Sequence, residues 1–347
     1  MFTYIVRRLF LMIPTLFGIT IISFLIINLA PGSPVEQKLQ QLRMGGAMGG
    51  GGGTGMSGAG SHGESGVSQE VIDALNKQYG FDKPLLTRYG IWMRNLSRLD
   101  FGDSFKYEEP VTGLIISKFP VSLTFGIVSF ILSYLVCIPL GVYKAIKNGS
   151  KFDQVSSILL SAAYSIPPII LGIMLLVFFA GASYFNWFPI GGIISDNYDE
   201  LSTMGKFIDR VHHFILPLIC YMIGSFTYLT FMMKNSLLDI IKLDYIRTAK
   251  AKGLPEMTVY MKHALRNALI PIITGMSDIL TIFFTGSILI EKIFNLDGMG
   301  LLSFTAVSAR DYNVLMGLIF LEALMMLVGR LLSDVLYVVV DPRIDFA

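Results

Sequence analysis

The side chains that most often carry chemistry in proteins are few in this sequence. The candidates are His62, His212, His213, His263, Cys137 and Cys220. No spacing among them is typical of a zinc site or of a serine or cysteine nucleophile with its base. Both cysteines lie inside long apolar runs, which favours buried small side chains over a disulfide or metal pair. We therefore expect no catalytic residue, no metal site and no cofactor bound by this chain.

Two carboxylates, Asp278 and Glu322, stand in the middle of apolar runs. An ionisable group in hydrocarbon costs ~2.5 kcal/mol or more and usually faces a cavity or a partner. They are candidates for lining a polar pathway between helices, and interhelical hydrogen bonding or subunit contact is the alternative that the sequence leaves open. Arg330 and Asp334 are four residues apart, a spacing that predicts a local pair.

The composition places these residues in membrane-spanning helices. Of 347 residues, 53% are hydrophobic and only 15% are charged, and the mean hydropathy is +0.62, which excludes an ordinary soluble domain and does not suggest nucleic-acid binding. A helix needs ~20 apolar residues to cross the bilayer. The sequence predicts an all-α polytopic protein with about six spans, at 9–30, 119–143, 155–180, 214–233, 267–290 and 312–340.

The distribution of lysine and arginine predicts the orientation of these spans. Basic residues concentrate in the segments before the first span, after the second and between the fourth and fifth. Since short cytoplasmic loops are enriched in lysine and arginine, we expect both termini in the cytoplasm. The first apolar run exceeds the ~7 to 15 residues usual for a secretory signal and lacks an Ala-x-Ala site, so we expect it to be retained.

The predicted organisation has three parts: an N-terminal transmembrane helix at 1–30, an extracytoplasmic segment at 31–117, and a five-helix core at 118–347. A glycine-rich tract at 45–66 predicts a flexible linker. No Gly-Lys-Ser or Gly-Lys-Thr follows it, which argues against a phosphate loop. Residues 69–98 carry apolar residues at mostly helical spacing and predict a small helical subdomain.

The most charged inner loop is 234–266, between the fourth and fifth predicted spans. The run Thr248-Ala249-Lys250-Ala251-Lys252-Gly253 predicts a short helix that ends or turns at Gly253, and Pro255 would open the next helix. A short helix lying crosswise to the bundle could insert into a partner. On composition alone, a plain solvated loop of the positive-inside kind is an equal alternative.

This loop resembles the hallmark loop of ABC importer permeases, which has Glu-Ala-Ala, three residues and then glycine. Arg247-Thr248-Ala249 stands where Glu-Ala-Ala would, and Gly253 falls at the glycine. Arg247, and Arg266 in place of a later proline, resemble the dipeptide, oligopeptide and nickel branch. The likeness is chain-long and includes Gly286-Ser287-Ile288-Leu289-Ile290-Glu291 with Gly298-Met299-Gly300. The segment at 79–84, the glycine-rich insert and the closing segment at 341–346 resemble Yej-type permeases of microcin C and peptide importers.

The resemblance implies a type I ABC importer permease in the bacterial inner membrane and a heteromeric machine around it. Its partners would be a second permease, cytoplasmic subunits that bind ATP and Mg²⁺, an extracytoplasmic binding protein and a peptide substrate. It implies an ATPase-coupling loop formed by Asp244, Tyr245, Arg247, Thr248, Ala249, Lys250, Ala251, Lys252, Gly253 and Leu254. Nickel or another small solute is the alternative within the family, and an ATP-independent secondary transporter is the alternative outside it.

Overall fold

The computed structural model describes residues 2–29, 77, 82–181, 184–275 and 286–340. The regular structure of these residues is helical, which confirms the predicted all-α class. Short π-helical turns follow α5 and α8. The helices are α1 Phe2–Leu29, α2 Leu85–Leu96, α3 Val111–Ile146, α4 Lys151–Ser165, α5 Pro168–Leu175, α6 Thr203–Ile241, α7 Asp244–Ala251, α8 Glu256–Thr258, α9 Leu265–Ala268, α10 Ile270–Thr274, α11 Ile288–Ile293, α12 Met299–Ser308 and α13 Tyr312–Val340.

Four of these helices, α1, α3, α6 and α13, are long and apolar enough to cross a membrane. They contain the second, fourth and sixth predicted spans, and the first as far as Leu29. α6 has 39 residues, nearly twice the ~20 that a bilayer requires, and its ends carry charged and polar residues that lie outside the predicted span. Of the fifth predicted span, α9 and α10 form the beginning, and residues 276–285 lie outside the described part of the chain.

The third predicted span is a bent pair of helices. α4 ends at Ser165, and the axis of the helical segment that begins at Pro168 is turned by 94°. Ile166 is extended, with φ −86° and ψ 118°, because the residue before a proline is excluded from helical geometry. Pro168 then occupies the first position of α5, where its missing N–H costs no hydrogen bond.

The chain divides into two compact units. One comprises Met1–Met12, Ser117–Leu302 and Leu321–Ala347, and the other comprises Ile13–Ile116 and Ser303–Phe320. In the second unit, α2 packs on α1 through aromatic rings, with the Tyr89 centroid 5.3 Å from that of Phe24. The predicted linker at 45–66 and most of the first part of the predicted helical region at 69–98 lie outside the described residues.

The ends of α1 and α13 meet within the first unit. A guanidinium nitrogen of Arg8 lies 2.9 Å from a carboxylate oxygen of Asp334, and the Tyr4 hydroxyl donates to the same oxygen at 2.9 Å. Asp334 therefore pairs with the first helix, whereas the sequence predicted a pair with Arg330 on its own helix. Helical spacing alone did not reveal this partner 326 residues away.

Candidate functional site

The loop 234–266 contains the short helix α7, as the sequence predicted. Asp244 lies in its first turn and Lys250 in its last, an arrangement of charges that complements the helix dipole. Ile246 is fully buried and Ala249 is 9% exposed. Because residues three apart share a helix face, α7 is amphipathic, with one face against the bundle and the other in solvent.

The inner face of α7 is part of a buried apolar cluster that joins it to α3 and α6. Burying a side chain such as that of Ile246 contributes ~1.5 to 3 kcal/mol. Ala249, a small residue of the family-like motif, thus seats α7 against this chain's own bundle. The other buried members of the cluster are Val142, Ala145, Met233, Leu237, Val259, Ala264, Ala268 and Ile272.

Gly253 ends α7 in the manner that the sequence predicted. Its φ is +78°, and its N–H donates to the carbonyl of Lys250 at 2.9 Å. Pro255 precedes α8 and fixes the start of the next helix. A Cβ at Gly253 would meet no atom within 4 Å, so backbone strain, not crowding inside the chain, restricts this position to glycine.

Lys250 clamps α7 to the segment that follows. Its Nζ lies 3.0 Å from a carboxylate oxygen of Glu256 and 3.3 Å from the hydroxyl of Tyr260. The hydrogen bond to Glu256 raises the pKa of Lys250, and the same bond lowers the pKa of Glu256. The charge of Lys250 is thus engaged within this chain and helps to fix the angle between α7 and α8.

The outer face of this loop combines exposed apolar and charged side chains. Arg247 and Asp244 form a surface pair at 3.5 Å, and Thr248, Ala251 and Lys252 are also exposed. An exposed apolar patch outside the spans is typical of a surface that contacts another protein. The apolar members are Leu243 (45% exposed), Tyr245 (42%), Leu254 (38%), Met257 (58%) and Met261 (49%).

Two hydrogen bonds connect the loop to the spans. The side-chain amide of Asn267 donates to the Tyr245 hydroxyl at 2.7 Å, which ties α7 to α9. The hydroxyl of Ser236 donates to the carbonyl of Ala268 at 2.8 Å, which ties α6 to the same helix. A displacement of α7 would therefore act on α9 directly.

The structure describes one of the two carboxylates that the sequence predicted to line a pathway. Asp278 lies outside the described residues. Glu322 lies on α13 with its side chain exposed, and its role in a pathway stays a prediction.

A buried acid explains the second family-like motif, whose structural role the sequence analysis did not identify. The Glu291 carboxylate is fully buried and accepts hydrogen bonds from the hydroxyl of Ser122 at 2.9 Å and from the N–H of Leu301 at 2.7 Å. Its remaining donors are the Ser287 N–H and the Tyr221 hydroxyl. The motif glycines leave room for this group: a Cβ on Gly286, Gly298 or Gly300 would lie within 3.1 Å of the carboxylate.

A buried ionic cluster lies where α3, α4 and α6 meet. Lys144 is fully buried, and its Nζ lies 3.2 Å from a carboxylate oxygen of Asp153. Lys234 approaches the same carboxylate at 2.7 Å. The hydroxyls of Ser156 and Ser157 accept from Lys144 at 2.6 and 2.9 Å. The sequence signal was the helix start at Ser150, whose side chain caps the Asp153 N–H, but that signal did not predict the two lysines.

The structure also brings a serine, a histidine and an aspartate together, which the sequence did not predict. The Ser195 hydroxyl lies 2.5 Å from an oxygen of Asp209 and 3.1 Å from Nε2 of His213. Nδ1 of His213 faces the carbonyl of Gly192 at 3.2 Å. In a hydrolytic triad the acid would hold Nδ1 of the histidine. Here it binds the serine, so the cluster joins the loop before α6 to that helix.

Comparisons with known proteins agree with the likeness seen in the sequence. A family model described as "Binding-protein-dependent transport system inner membrane component" matches residues 137–346. The chain is 47% identical to the "Peptidoglycan transport system permease protein YejB" of Agrobacterium fabrum, over 99% of this chain and 98% of that protein. It is 42% identical to the "Inner membrane ABC transporter permease protein YejB" of Escherichia coli O157:H7, with the same coverage. It is 34% identical to the "Oligopeptide transport system permease protein AppB" of Bacillus subtilis over both full lengths.

Proposed function

Because the chain belongs to the family of inner membrane components of binding-protein-dependent transport systems, we propose that it is the peptide-conducting permease subunit of an ABC importer. It is a multi-pass inner membrane protein. With a second permease it forms the path through the bilayer. ATP binding and hydrolysis, with Mg²⁺, reside in separate cytoplasmic subunits, and an extracytoplasmic binding protein delivers the substrate.

The observation that carries this proposal is the arrangement of α7. Its inner face is locked into the bundle by Ile246 and Ala249, while its outer face is exposed beside the apolar side chains of Leu254 and Met257. A helix that packs against the spans on one side and is exposed on the other is suited to transmit force between a partner and the spans. Under the predicted orientation this outer face lies in the cytoplasm, where the ATPase subunits are.

The names of the relatives support a peptide as the substrate. One is named for peptidoglycan transport and one for oligopeptide transport. We expect oligopeptides and peptide-like compounds, including peptidoglycan-derived peptides and compounds of the microcin C type, to be transported. Selectivity among these rests largely with the binding protein.

The test is to co-express this chain with its second permease, its ATPase subunits and its binding protein, and to compare two tryptophan variants. Ala251→Trp enlarges an exposed residue on the outer face of α7. Asn148→Trp enlarges an exposed residue in the turn between α3 and α4 and serves as the matched control. ATPase retention during purification and peptide-stimulated ATP hydrolysis are measured for both.

We expect Ala251→Trp to lose the ATPase subunits or the peptide stimulation, and Asn148→Trp to retain both. Equal behaviour of the two variants would overturn the assignment of α7. If the wild-type chain moves peptide in proteoliposomes without any ATPase subunit, the importer assignment itself is wrong.

A further inference from the structure

A groove of about 980 Å³ lies within the first unit, between the end of α4, the second half of α6 and the start of the α9–α10 segment. Its volume is at the upper end of the ~300 to 1,000 Å³ typical of ligand sites. Most of the accessible surface of its lining is apolar, from Phe231, Met232, Ile240, Ile270 and Pro271, and hydroxyl and amide groups lie among these side chains. The polar lining residues are Ser161, Tyr164, Ser165, Thr227, Tyr228, Asn235, Ser236, Asp239 and Asn267.

The residues that line the groove are not typical of a lipid-facing surface. Asn235 and Asp239 are exposed on α6, and Tyr164 and Tyr228 are 61% and 62% exposed. Asn235 and Asp239 follow the fourth predicted span, which ends at 233, so this end of the groove opens to water, and tyrosine is typical of the membrane–water interface. By contrast, Leu159 of α4 is 64% exposed but does not line the groove, and it has the character of a lipid-facing residue.

The lining combines apolar surface, which suits peptide side chains, with polar groups, which suit a peptide backbone. Serine and tyrosine hydroxyls and asparagine amides both donate and accept hydrogen bonds, so they can pair with backbone N–H and C=O groups of any sequence. Asp239 is the one carboxylate among the lining residues, none of which is lysine or arginine, and its pair with Lys242 at 3.6 Å is an exposed surface pair that contributes little. The lining therefore favours neutral segments and a protonated amine over an anion.

The length of the groove also fits a short peptide. Its α6 wall runs from Thr227 to Ile240, which is ~20 Å at a rise of about 1.5 Å per residue. An extended chain covers ~3.4 Å per residue, so the groove accommodates roughly six residues.

The groove is connected to α7 by the shared residue Asn267. This side chain lines the groove and donates to the Tyr245 hydroxyl at 2.7 Å. Ser236, also in the lining, bonds to the carbonyl of Ala268 in α9 at 2.8 Å. Movement of α7 thus changes one wall of the groove.

From these observations we infer that the groove is the inner half of the peptide path, with Asn235 and Asn267 binding the backbone of the peptide and Asp239 its cationic end. The inference rests on the proposed function and adds the site that the peptide occupies. Asn267 has a second role, because its hydrogen bond to the Tyr245 hydroxyl links the groove to α7.

The test places single cysteines in the assembled complex, in a background where the buried Cys137 and Cys220 are changed to alanine. Ser161→Cys and Asn235→Cys lie in the groove, and Leu159→Cys on the same helix as Ser161 is the control. The probes are a membrane-impermeant methanethiosulfonate reagent and a pool of synthetic tri- to hexapeptides supplied with the binding protein. Peptide-stimulated ATP hydrolysis is measured in parallel.

We expect the groove cysteines to react about tenfold faster than Leu159→Cys, because the reactive thiolate forms in water and not in lipid. Peptide during turnover should slow labelling of the groove positions only. If the groove cysteines react no faster than Leu159→Cys, a lipid or subunit covers the groove and the inference is overturned. If peptide stimulates ATP hydrolysis without slowing their labelling, the path lies elsewhere and the proposed function stands. If no peptide stimulates ATP hydrolysis, the proposed function fails.

Discussion

Glu291 shows how a single buried residue can account for a sequence motif around it. Its carboxylate is fully buried and is held by backbone N–H groups and by the hydroxyls of Ser122 and Tyr221. A buried acid is tolerated only when its oxygens are hydrogen-bonded. The three nearby glycines allow the backbone to approach the carboxylate closely. They serve packing around a polar centre, and Gly286, with φ +61°, also adopts a left-handed backbone conformation that favours glycine.

The first prediction at the residue scale concerns Gly300. In Gly300→Ala the new Cβ would lie 2.7 Å from the backbone nitrogen of Ile288, which cannot move aside as a side chain can. We expect a loss of roughly 1 to 3 kcal/mol in the free energy of unfolding, the usual cost of overpacking. Thermal unfolding of the purified protein in detergent measures it.

Gly224→Ala is the matched control for this change. A Cβ at Gly224 of α6 meets nothing within 4 Å, so the substitution should leave the protein as stable or raise stability by ~0.5 to 1 kcal/mol. Equal loss of stability in both variants would contradict the packing role of the motif.

The second residue-scale prediction concerns Asp153. Asp153→Asn removes the charge that compensates the buried Lys144 and the nearby Lys234. Leaving a buried charge without its partner typically costs ~3 to 5 kcal/mol, so we expect severe destabilisation. Asp297→Asn is the control, because Asp297 pairs with Lys118 but is 64% exposed, and such pairs contribute ~1 kcal/mol or less. Expression level and unfolding temperature distinguish the two, and similar values would argue against the cluster.

At the scale of elements, α7 is held by three kinds of contact: an apolar inner face, the clamp from Lys250 to Glu256, and the hydrogen bond that Tyr245 accepts from Asn267. The first sets its position, the second its angle to α8, and the third its connection to α9. Each contact can be removed separately, so the helix offers distinct tests.

The third prediction removes the connection to α9. Tyr245→Phe keeps the ring and loses the hydroxyl that accepts from Asn267. A hydrogen bond of this kind contributes about 1 kcal/mol, so we expect the ratio of peptide-stimulated to basal ATP hydrolysis to fall roughly fivefold. Tyr143→Phe is the control, on an exposed tyrosine whose ring packs on Phe152. An unchanged ratio in Tyr245→Phe would show that this bond does not transmit the signal.

The fourth prediction concerns pH and the clamp between α7 and α8. The hydrogen bond from Lys250 lowers the pKa of Glu256, so its stabilising contribution is present above the ordinary glutamate pKa and is lost as pH falls through the lowered pKa. The pKa of Lys250 is raised, so its contribution disappears only as pH rises through that raised value. We expect slow amide exchange at Gly253 between these limits.

Glu256→Gln tests the same clamp without a change of pH. At neutral pH, after correction for intrinsic rates, the Gly253 amide should exchange faster in Glu256→Gln than in the wild type. The difference should disappear once acid has protonated Glu256 in the wild type. Identical exchange at neutral pH would mean that the clamp does not hold the turn.

The sequence predicted the elements of this loop better than its contacts. Gly253 and Pro255 are local signals. Glycine lacks a Cβ and so tolerates the left-handed conformation that ends α7, and proline lacks an N–H and so suits the start of α8. The inward direction of Ala249 was not predicted, because it depends on α3 and α6. The bonds of Asp334 and Asn267 join distant parts of the chain, which local periodicity cannot reveal.

At the scale of the whole molecule, the hydrophobic runs predicted the main spans but not the geometry of the third. The sequence contains the dipeptide Pro167-Pro168, but this dipeptide is compatible with a mild kink as well as with the 94° turn that the structure shows. Which of them forms is decided by packing between helices. The ionic cluster at Asp153 and the hydrogen-bonded cluster at Glu291 could not be predicted for the same reason.

The fifth prediction concerns the orientation of the chain. Because Arg8 near the start of α1 contacts Asp334 near the end of α13, these two helix ends lie on the same side of the membrane. We expect both termini in the cytoplasm, given the basic residues beside the spans. A reporter fused before Met1 and one fused after Ala347 should both be active in the cytoplasm, and one inserted at 45–66 should be active outside. Opposite locations of the two termini would contradict this topology.

The burial of Lys144 distinguishes the folded protein from the chain during membrane insertion. Its charge belongs to the basic residues that orient the chain during membrane insertion, yet the folded protein encloses it completely. Lipid headgroups can therefore meet this lysine only before α4 folds back and brings Asp153 to it. The closing of this ion pair removes a topology signal from the membrane surface, so the orientation of the neighbouring spans must be settled by the time the pair forms.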